Sequence, residues 1–420
     1  MKVLVLGATG LIGGHAGQAL RAAGCSVTGL SRRRPAGERD WLEAEFGNLT
    51  DARDWLPLLA GYDAVVNCVG IIRETRAGDF DRLHRAAPVA MFAACEQLGV
   101  RRVVQVSALG SAPDAATGYW RSKGAAEADL MARSGLQPAI IRPSLVYGDE
   151  GASSIMFRML ATLPVLMMPM AHGAKVQPIH VDDLVAIIVK LVTAQEAPPR
   201  ELATVGPRAG SMAAYLGDLR QGMQAPAGLV LDLPVPVARL VARVAALAPS
   251  SALTPESLLM LEQSADGGNT ANAAPAAALL GRPLRDPASF AQPAQRIDAV
   301  WQWASVLITL AMATLWLWTA AVSWFGWPHE ESRAWLAACG IPAFAQEPML
   351  LAASLTDAAI GVLLLLRPRR WLWAAQLALV GGYTVIMSLF LPFFWLHPFG
   401  PLSKNLPLLA LMFLMWRASR

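Results

Sequence analysis

Over its first 195 residues the chain alternates short apolar runs with longer amphipathic stretches. "KVLVLG", "SVTGLS", "DAVVNCVG", "RRVVQVSAL" and "PAIIRPSLVYG" read as strands, being short, apolar, rich in β-branched residues and bounded by turn formers. The stretches between them are long enough for helices. Strand and helix in alternation predict an α/β fold, a Rossmann-type doubly wound parallel sheet covered by helices, over residues 1–204. From 205 to 290 the pattern loosens into Ala, Pro and Gly, with short helical pieces at 236–247 and 254–263. This region is expected to be a small cap on the substrate side, leading to the linker "GRPLRDPASFAQPAQR".

Past residue 298 the periodicity gives way to four apolar runs, at about 303–326, 348–366, 371–394 and 404–416. The first three approach the roughly 20 residues needed to cross a hydrocarbon core, and the fourth is short. Trp301, Trp303, Trp324, Trp327, Trp371, Trp373, Trp395 and Trp416 gather near the run ends, as an aromatic belt does. Residues 298–420 are therefore expected to form a four-helix transmembrane bundle. Arg367, Arg369 and Arg370 lie between the second and third runs, and Arg417 and Arg420 follow the fourth. The positive-inside rule puts both places in the cytoplasm, and an even number of spans puts the N-terminal domain there too. The expected location is a bacterial inner membrane, crossed several times, with the N-terminal domain and the C-terminus cytoplasmic.

Composition agrees with a chain partly in lipid: 55% of residues are hydrophobic and only 16% charged, against roughly 25% charged in ordinary globular domains. The net charge of +4 is spread without a basic stripe, which argues against nucleic acid. Glycines interrupt the apolar start and no small-residue cleavage site ends it, so folded structure is expected from the first residues. Cys25, Cys68, Cys95 and Cys339 have neither metal-ligand nor CxxC spacing, and no metal site is expected. Asp357 stands inside the second apolar run, where an ionisable group either pairs, with Lys404 and His397 as the candidates, or stays protonated and bonds to backbone or serine hydroxyls.

The chemistry lies in the first domain. "VLVLGATGLIGGHAGQAL" sets Gly7, Gly10 and Gly13 between a strand and a helix, with Thr9, Leu11 and Ile12 in the same turn. In that setting backbone N–H groups and a helix N-terminus face a pyrophosphate. The second strand ends in Ser31, Arg32, Arg33 and Arg34, where an NAD site carries an acidic residue. Arginine forks suit a 2′-phosphate, so NADP(H) is favoured over NAD(H).

The ordered set of GxxGxxG, "NCVG" at Asn67–Gly70, Ser107, Tyr119 and Lys123 as YxxxK, "IIRPSLVYG" and "IHVDDLV" resembles the extended and atypical short-chain dehydrogenase/reductases. "SKGAAE" and "HVDDL" are most similar to the branch containing the nucleotide-binding accessory subunit of respiratory complex I, and "HPFGPLSKNLPLL" to the DoxX-like membrane family. The resemblance implies that Ser107, Tyr119 and Lys123 are catalytic, with Tyr119 and Lys123 also touching the cofactor. It places Asn48 and Leu49 near the adenine, Cys68, Val69 and Gly70 beneath the ribose, and Pro143 and Val146 near the nicotinamide. Many relatives carry an asparagine that supports a proton-relay water; here "RLHRAAP" brings His84 or Arg85 to that place.

The chemistry is coherent on its own terms. Reducing a carbonyl needs a proton donor at the developing alkoxide, and a cation one helical turn away tunes a phenol for that task. Two readings follow. One is a membrane-tethered NADPH-dependent oxidoreductase acting on a small lipophilic carbonyl, hydroxyl or quinone-like substrate. The other is a non-catalytic NADPH-binding module for assembly or redox sensing of a membrane protein complex. The lipid bilayer is a partner in both, and a homo-oligomer is compatible with either.

Overall fold

The computed structural model describes residues 1–246, 254–265, 267 and 269–419. It divides into two compact units, 1–299 and 300–420.

In the first unit the alternation predicted from sequence runs β1 (Lys2–Leu6), α1 (Leu11–Ala22), β2 (Ser26–Ser31), β3 (Trp41–Glu43), α2 (Ala52–Leu59), β4 (Ala64–Asn67), α3 (Ala87–Leu98), β5 (Arg102–Val106), α4 (Gly118–Ala132) and β6 (Gln137–Pro143). A more irregular part follows: β7 (Val146–Tyr147), α5 (Ala152–Thr162), β8 (Val165–Pro169), β9 (Lys175–Val176), β10 (Ile179–His180), α6 (Val181–Thr193), β11 (Glu201–Thr204), β12 (Gly210–Ser211), α7 (Met212–Gly222), β13 (Leu229–Leu233), α8 (Val235–Ala245), α9 (Pro255–Ser264) and α10 (Ala274–Leu280). The predicted cap pieces correspond to α8 and α9; residue 247, the end of the first piece, lies outside the described residues.

Seven parallel strands form one sheet in the order β11-β6-β5-β4-β1-β2-β3. The strands are apolar almost throughout because helices cover both faces. Val3, Val5, Val66 and Val104 join α1 and α6 on one side, while Leu4, Leu6, Val65 and Val103 join α2, α3 and α4 on the other. Each such side chain, fully buried, contributes about 1.5–3 kcal/mol. The register aligns Leu6 with Asn67, and Asn67 with Gln105, so the segments that follow β1, β4 and β5 leave the sheet side by side at its carboxyl edge. Open α/β sheets bind ligands at that edge.

Asp183 of "HVDDL" is fully buried at the start of α6 and accepts the Arg285 backbone N–H at 2.7 Å. That motif ties the 282–285 segment to the sheet unit.

The second unit is helical: α11 (Gln295–Ala321, starting just before the division), α12 (His329–Ala338), α13 (Ala343–Leu366), α14 (Arg370–Phe390) and α15 (Asn405–Ala418). Among the described residues three helices are long and apolar enough to cross a membrane: Gln295–Gly326, Ala343–Leu366 and Arg370–Phe390. The fourth predicted span is the 14-residue α15; at 1.5 Å per residue it reaches about 21 Å, short of a ~30 Å core. The stretch between the first two apolar runs contains α12, whose polar first turn, "HEES", kept it from standing out as an apolar run in the sequence.

In this unit Trp316 donates to Gln376 Oε1 at 2.7 Å, and Gln376 is fully buried. Asp357 is also buried, but among the described residues neither Lys404 nor His397 pairs with it. Lys404 is exposed ahead of α15, and His397 Nδ1 accepts the Phe399 backbone N–H. The expected partnership is therefore absent from the structure.

Candidate active site at the carboxyl edge of the sheet

The glycine turn after β1 is built for close approach. Gly7 has φ +71°, and a Cβ there would stand 3.1 Å from the Cys68 carbonyl carbon, against the segment leaving β4. A Cβ on Gly13 would stand 2.3 Å from Gly7 O, so α1 starts hard against its own turn. Gly10 caps α1 without a side-chain hydrogen bond, leaving first-turn N–H groups available to an anion. A cavity of about 210 Å³ opens there between Thr9, Gly10, Leu11 and Gln18. Ile12 instead packs partly into the core on the α1–α6 side, and Leu11 touches both that core and the cavity.

At the end of β2, Ser31 is buried and accepts from Trp41 Nε1 at 3.0 Å while donating to Arg33 O at 2.7 Å. Arg34 is engaged, donating to Trp41 O at 3.1 Å with Glu43 3.8 Å away. Arg32 and Arg33 are exposed, and among the described residues their guanidinium groups make no ion pair. The three arginines, equivalent in sequence, separate into one structural and two available forks. Asn48 is exposed on the turn after β3, and Leu49 uses its carbonyl to accept from Trp55 Nε1 at 2.8 Å.

Thr117 caps α4, accepting from the Trp120 N–H at 3.3 Å, and so fixes where Tyr119 and Lys123 begin. Ser107 directly follows β5; it is buried, and its hydroxyl lies 3.2 Å from Ser111 Oγ. Lys123 is 5% exposed, with Nζ donating to Val106 O at 3.2 Å and standing 5.6 Å from the Tyr119 ring centroid. Gly70 comes to the same place: a Cβ on it would be 3.4 Å from Lys123 Nζ. Pro143 is buried at the end of β6, and Val146 is half-buried at the start of β7. The structure thus brings Lys123 together with Tyr119, Gly70 and the strand end that bears Ser107.

Burial dominates the electrostatics. It pushes the Tyr119 phenol up to about 12 and the Lys123 ammonium down to about 8, the latter opposed by Glu127 and Cys68. The Cys68 thiol is also pushed up to about 12 by burial, so it is a neutral neighbour at physiological pH. Desolvation therefore outweighs any lowering of the phenol by Lys123, contrary to the simplest expectation from their spacing, and Tyr119 is held as a protonated donor. Glu127 is 4% exposed and ion-pairs with Arg142, which keeps a negative group one turn beyond Lys123.

Of His84 and Arg85, it is His84 that faces the interior beside Tyr119. Arg85 turns outward to pair with Asp81. His84 is 2% exposed, in a π-helical turn spanning Asp81–Ala86, a distortion common at functional sites. Its Nε2 accepts from the Ile71 N–H at 3.1 Å, so Nδ1 carries the proton and donates to Ser122 Oγ at 3.1 Å. Ser122 Oγ in turn donates to Tyr119 O at 3.0 Å. Burial, aided by Lys123, drops the imidazole to about 3, so it is neutral at physiological pH. With both ring nitrogens engaged in hydrogen bonds to the protein, His84 has none left to pass a proton to a ligand. It positions Tyr119, against which its ring packs edge-on at 5.5 Å.

Two contributors carried no sequence signal. Phe80 packs on both His84 and Tyr119, at 5.4 and 5.9 Å. Glu256, at the start of α9, accepts the Tyr119 backbone N–H at 3.0 Å from 137 residues away in sequence.

Comparison with known proteins agrees with this architecture. The chain is 30% identical over 192 residues to the ceramide reductase of Caulobacter vibrioides, covering 44% of this chain and 59% of that protein. It is 29% identical over 198 residues to the mitochondrial NADH dehydrogenase [ubiquinone] 1 alpha subcomplex subunit 9 of Arabidopsis thaliana, covering 44% and 48%. The chain thus spans about half the length of these curated relatives. A nucleoside-diphosphate-sugar epimerase structure from Staphylococcus aureus superposes with a TM-score of 0.55 at 16% identity, covering 69% of this chain and 99% of that one, which shows the shared fold. Residues 3–206 match the NAD dependent epimerase/dehydratase family and residues 313–413 the DoxX-like family. The first unit is accordingly of the Rossmann type and similar to NAD dependent epimerases/dehydratases, and the C-terminal part is similar to the DoxX-like family.

Proposed function

We propose that the protein is a membrane-tethered, NADPH-dependent oxidoreductase that reduces a lipophilic carbonyl, with its Rossmann domain on the cytoplasmic side of a bacterial inner membrane. The observation that carries this is the buried Lys123 ammonium, held between the Val106 carbonyl and the Tyr119 ring beside Ser107. A buried charge with a fixed set of partners in a ligand-binding edge is a mark of function.

The residues fit the cofactor: the open turn at Gly7–Gly13 suits a pyrophosphate, and exposed Arg32 and Arg33 suit a 2′-phosphate. NADPH, when bound, supplies the hydride. Ser107 holds the substrate oxygen by hydrogen bonding, Tyr119 delivers its phenolic proton to that oxygen, and Lys123 stabilises the phenolate left behind. Such proton transfer is worth about 10²–10⁴ in rate. The Caulobacter relative's name points to a long-chain lipid as substrate class, which gives a membrane tether its purpose.

A non-catalytic NADPH-binding role in a membrane complex is favoured by one observation, that both ring nitrogens of His84 are engaged where the resemblance expects a relay asparagine nearby, and by the complex I relative. The two readings separate in one experiment on the full chain in nanodiscs. NADPH should bind at least tenfold more tightly than NADH, and its oxidation should accelerate with long-chain ketones. Tight NADPH binding without turnover on any lipophilic carbonyl or quinone would leave the second reading.

A further inference from the structure

α8 carries an apolar face that none of the described residues of its own unit covers. Val237, Leu240, Val241 and Val244 follow the i, i+3, i+4, i+7 spacing of one helix face and are 46%, 63%, 41% and 61% exposed. The packed side is the small one: Ala238 and Ala242 are fully buried against Leu258 of α9 and beside Leu233. A surface helix in water points its large apolar residues inward; α8 points them outward. The β8–β13 ribbon, against which α8 packs, repeats the inversion. Its register sets Val165 beside Leu229 and Met167 beside Leu231, and all four are exposed. Eight large apolar side chains on adjoining elements exceed the scattered exposure of an ordinary surface.

We propose that the outer face of α8, with the outward side of the β8–β13 ribbon, rests in the headgroup–acyl boundary of the membrane that anchors the chain. Two observations favour a bilayer as the occupant. Among the described residues three helices of the same chain are long and apolar enough to cross a membrane, the first starting at Gln295, so a bilayer surface is at high effective concentration for everything attached to it. The charge beside the stripe is cationic: Arg243 is exposed with no acidic partner among the described residues, and Arg239 sits on the same flank, paired with Glu262. Arginines beside an apolar stripe suit anionic headgroups.

The docked element also belongs to the mouth of the site. α9, packed on α8, contributes the Glu256 carboxylate to the Tyr119 N–H, and Arg73 donates to Ala246 O at 2.7 Å at the end of α8. A lipophilic substrate would pass from the bilayer past α8 and α9 to Tyr119 without crossing bulk water. This last consequence rests on the proposed reductase activity; the docking does not.

The test is nitroxide scanning of the full chain in phosphatidylethanolamine/phosphatidylglycerol nanodiscs, in a Cys25→Ser, Cys339→Ala background. Labels at Val237→Cys, Leu240→Cys, Val241→Cys and Val244→Cys should relax strongly with oxygen and weakly with an aqueous nickel chelate. Labels at Arg239→Cys and Arg243→Cys should show the reverse. These positions are exposed, so labelling leaves the fold intact, and none touches the NADPH site, so NADPH binding should be unchanged. Nickel accessibility at every position would overturn the proposal by showing a water-exposed helix. Low accessibility to both reagents along the stripe would also overturn it, showing a protein surface or a second copy in the bilayer's place.

Discussion

α4 and α8 invert the usual placement of side chains in opposite ways. α4 buries Ser122, Lys123 and Glu127, whereas α8 exposes Val237, Leu240, Val241 and Val244. Burying an ammonium costs free energy unless partners compensate, and on α4 they do: Val106 O, the Tyr119 ring and Glu127 surround it. Exposing valine and leucine forgoes burial energy of about 25 cal/mol per Å², and on α8 no described group of the same unit compensates. The first inversion marks chemistry completed inside the domain. The second marks an interaction completed outside it.

The largest effects should come from α4. Lys123→Met removes the cation that stabilises the phenolate, and turnover of a lipophilic ketone should fall by about 10²–10⁴; NADPH oxidation followed at 340 nm reads this directly. The same lysine sets the pH dependence. Its charged form is needed and its value is lowered to about 8, so kcat/KM should be level below pH 8 and fall about tenfold per pH unit above it. A profile that stays flat through pH 9.5 would detach Lys123 from the rate.

His84→Ala comes next, because it leaves the Ile71 N–H and Ser122 hydroxyl without their partner and opens space beneath Tyr119. A loss of about 2–3 kcal/mol in unfolding free energy is expected, with kcat falling more than NADPH affinity, since His84 acts by positioning Tyr119. Arg32→Ala with Arg33→Ala should cost NADPH about tenfold or more in affinity and leave NADH nearly unchanged, as titration of both cofactors would show. The smallest effect belongs to α8. Leu240→Asp, measured by thermal unfolding in detergent, should shift stability by no more than about 0.5 kcal/mol. A larger loss would mean that the exposed face is part of the core after all.

The same contrast explains what could be read from the sequence. The glycine turn, Ser107 and the Tyr119–Lys123 pair were legible because local periodicity places them: strand ends and one helical turn fix their geometry without knowledge of the rest of the fold. The sheet followed from the same alternation. His84 was legible as a departure but not as a role, since its two hydrogen bonds run to Ile71 and Ser122 across the fold. Glu256 was not legible at all, because an ordinary first-turn glutamate of α9 meets Tyr119 only once the fold brings residues 137 positions apart together. The division of labour among Arg32, Arg33 and Arg34 depends on Trp41 and Glu43 of the next strand. In the membrane unit, hydropathy located the helices but could not pair Asp357, since pairing depends on how the helices turn about their axes.

The proposed reduction depends above all on Tyr119 as the proton donor. Full-length protein in nanodiscs, wild type and Tyr119→Phe, should be compared for NADPH affinity and for oxidation of NADPH by a long-chain ketone. Affinity should stay within about threefold of wild type and turnover should fall at least about 100-fold. Equal turnover in the two proteins would contradict that role.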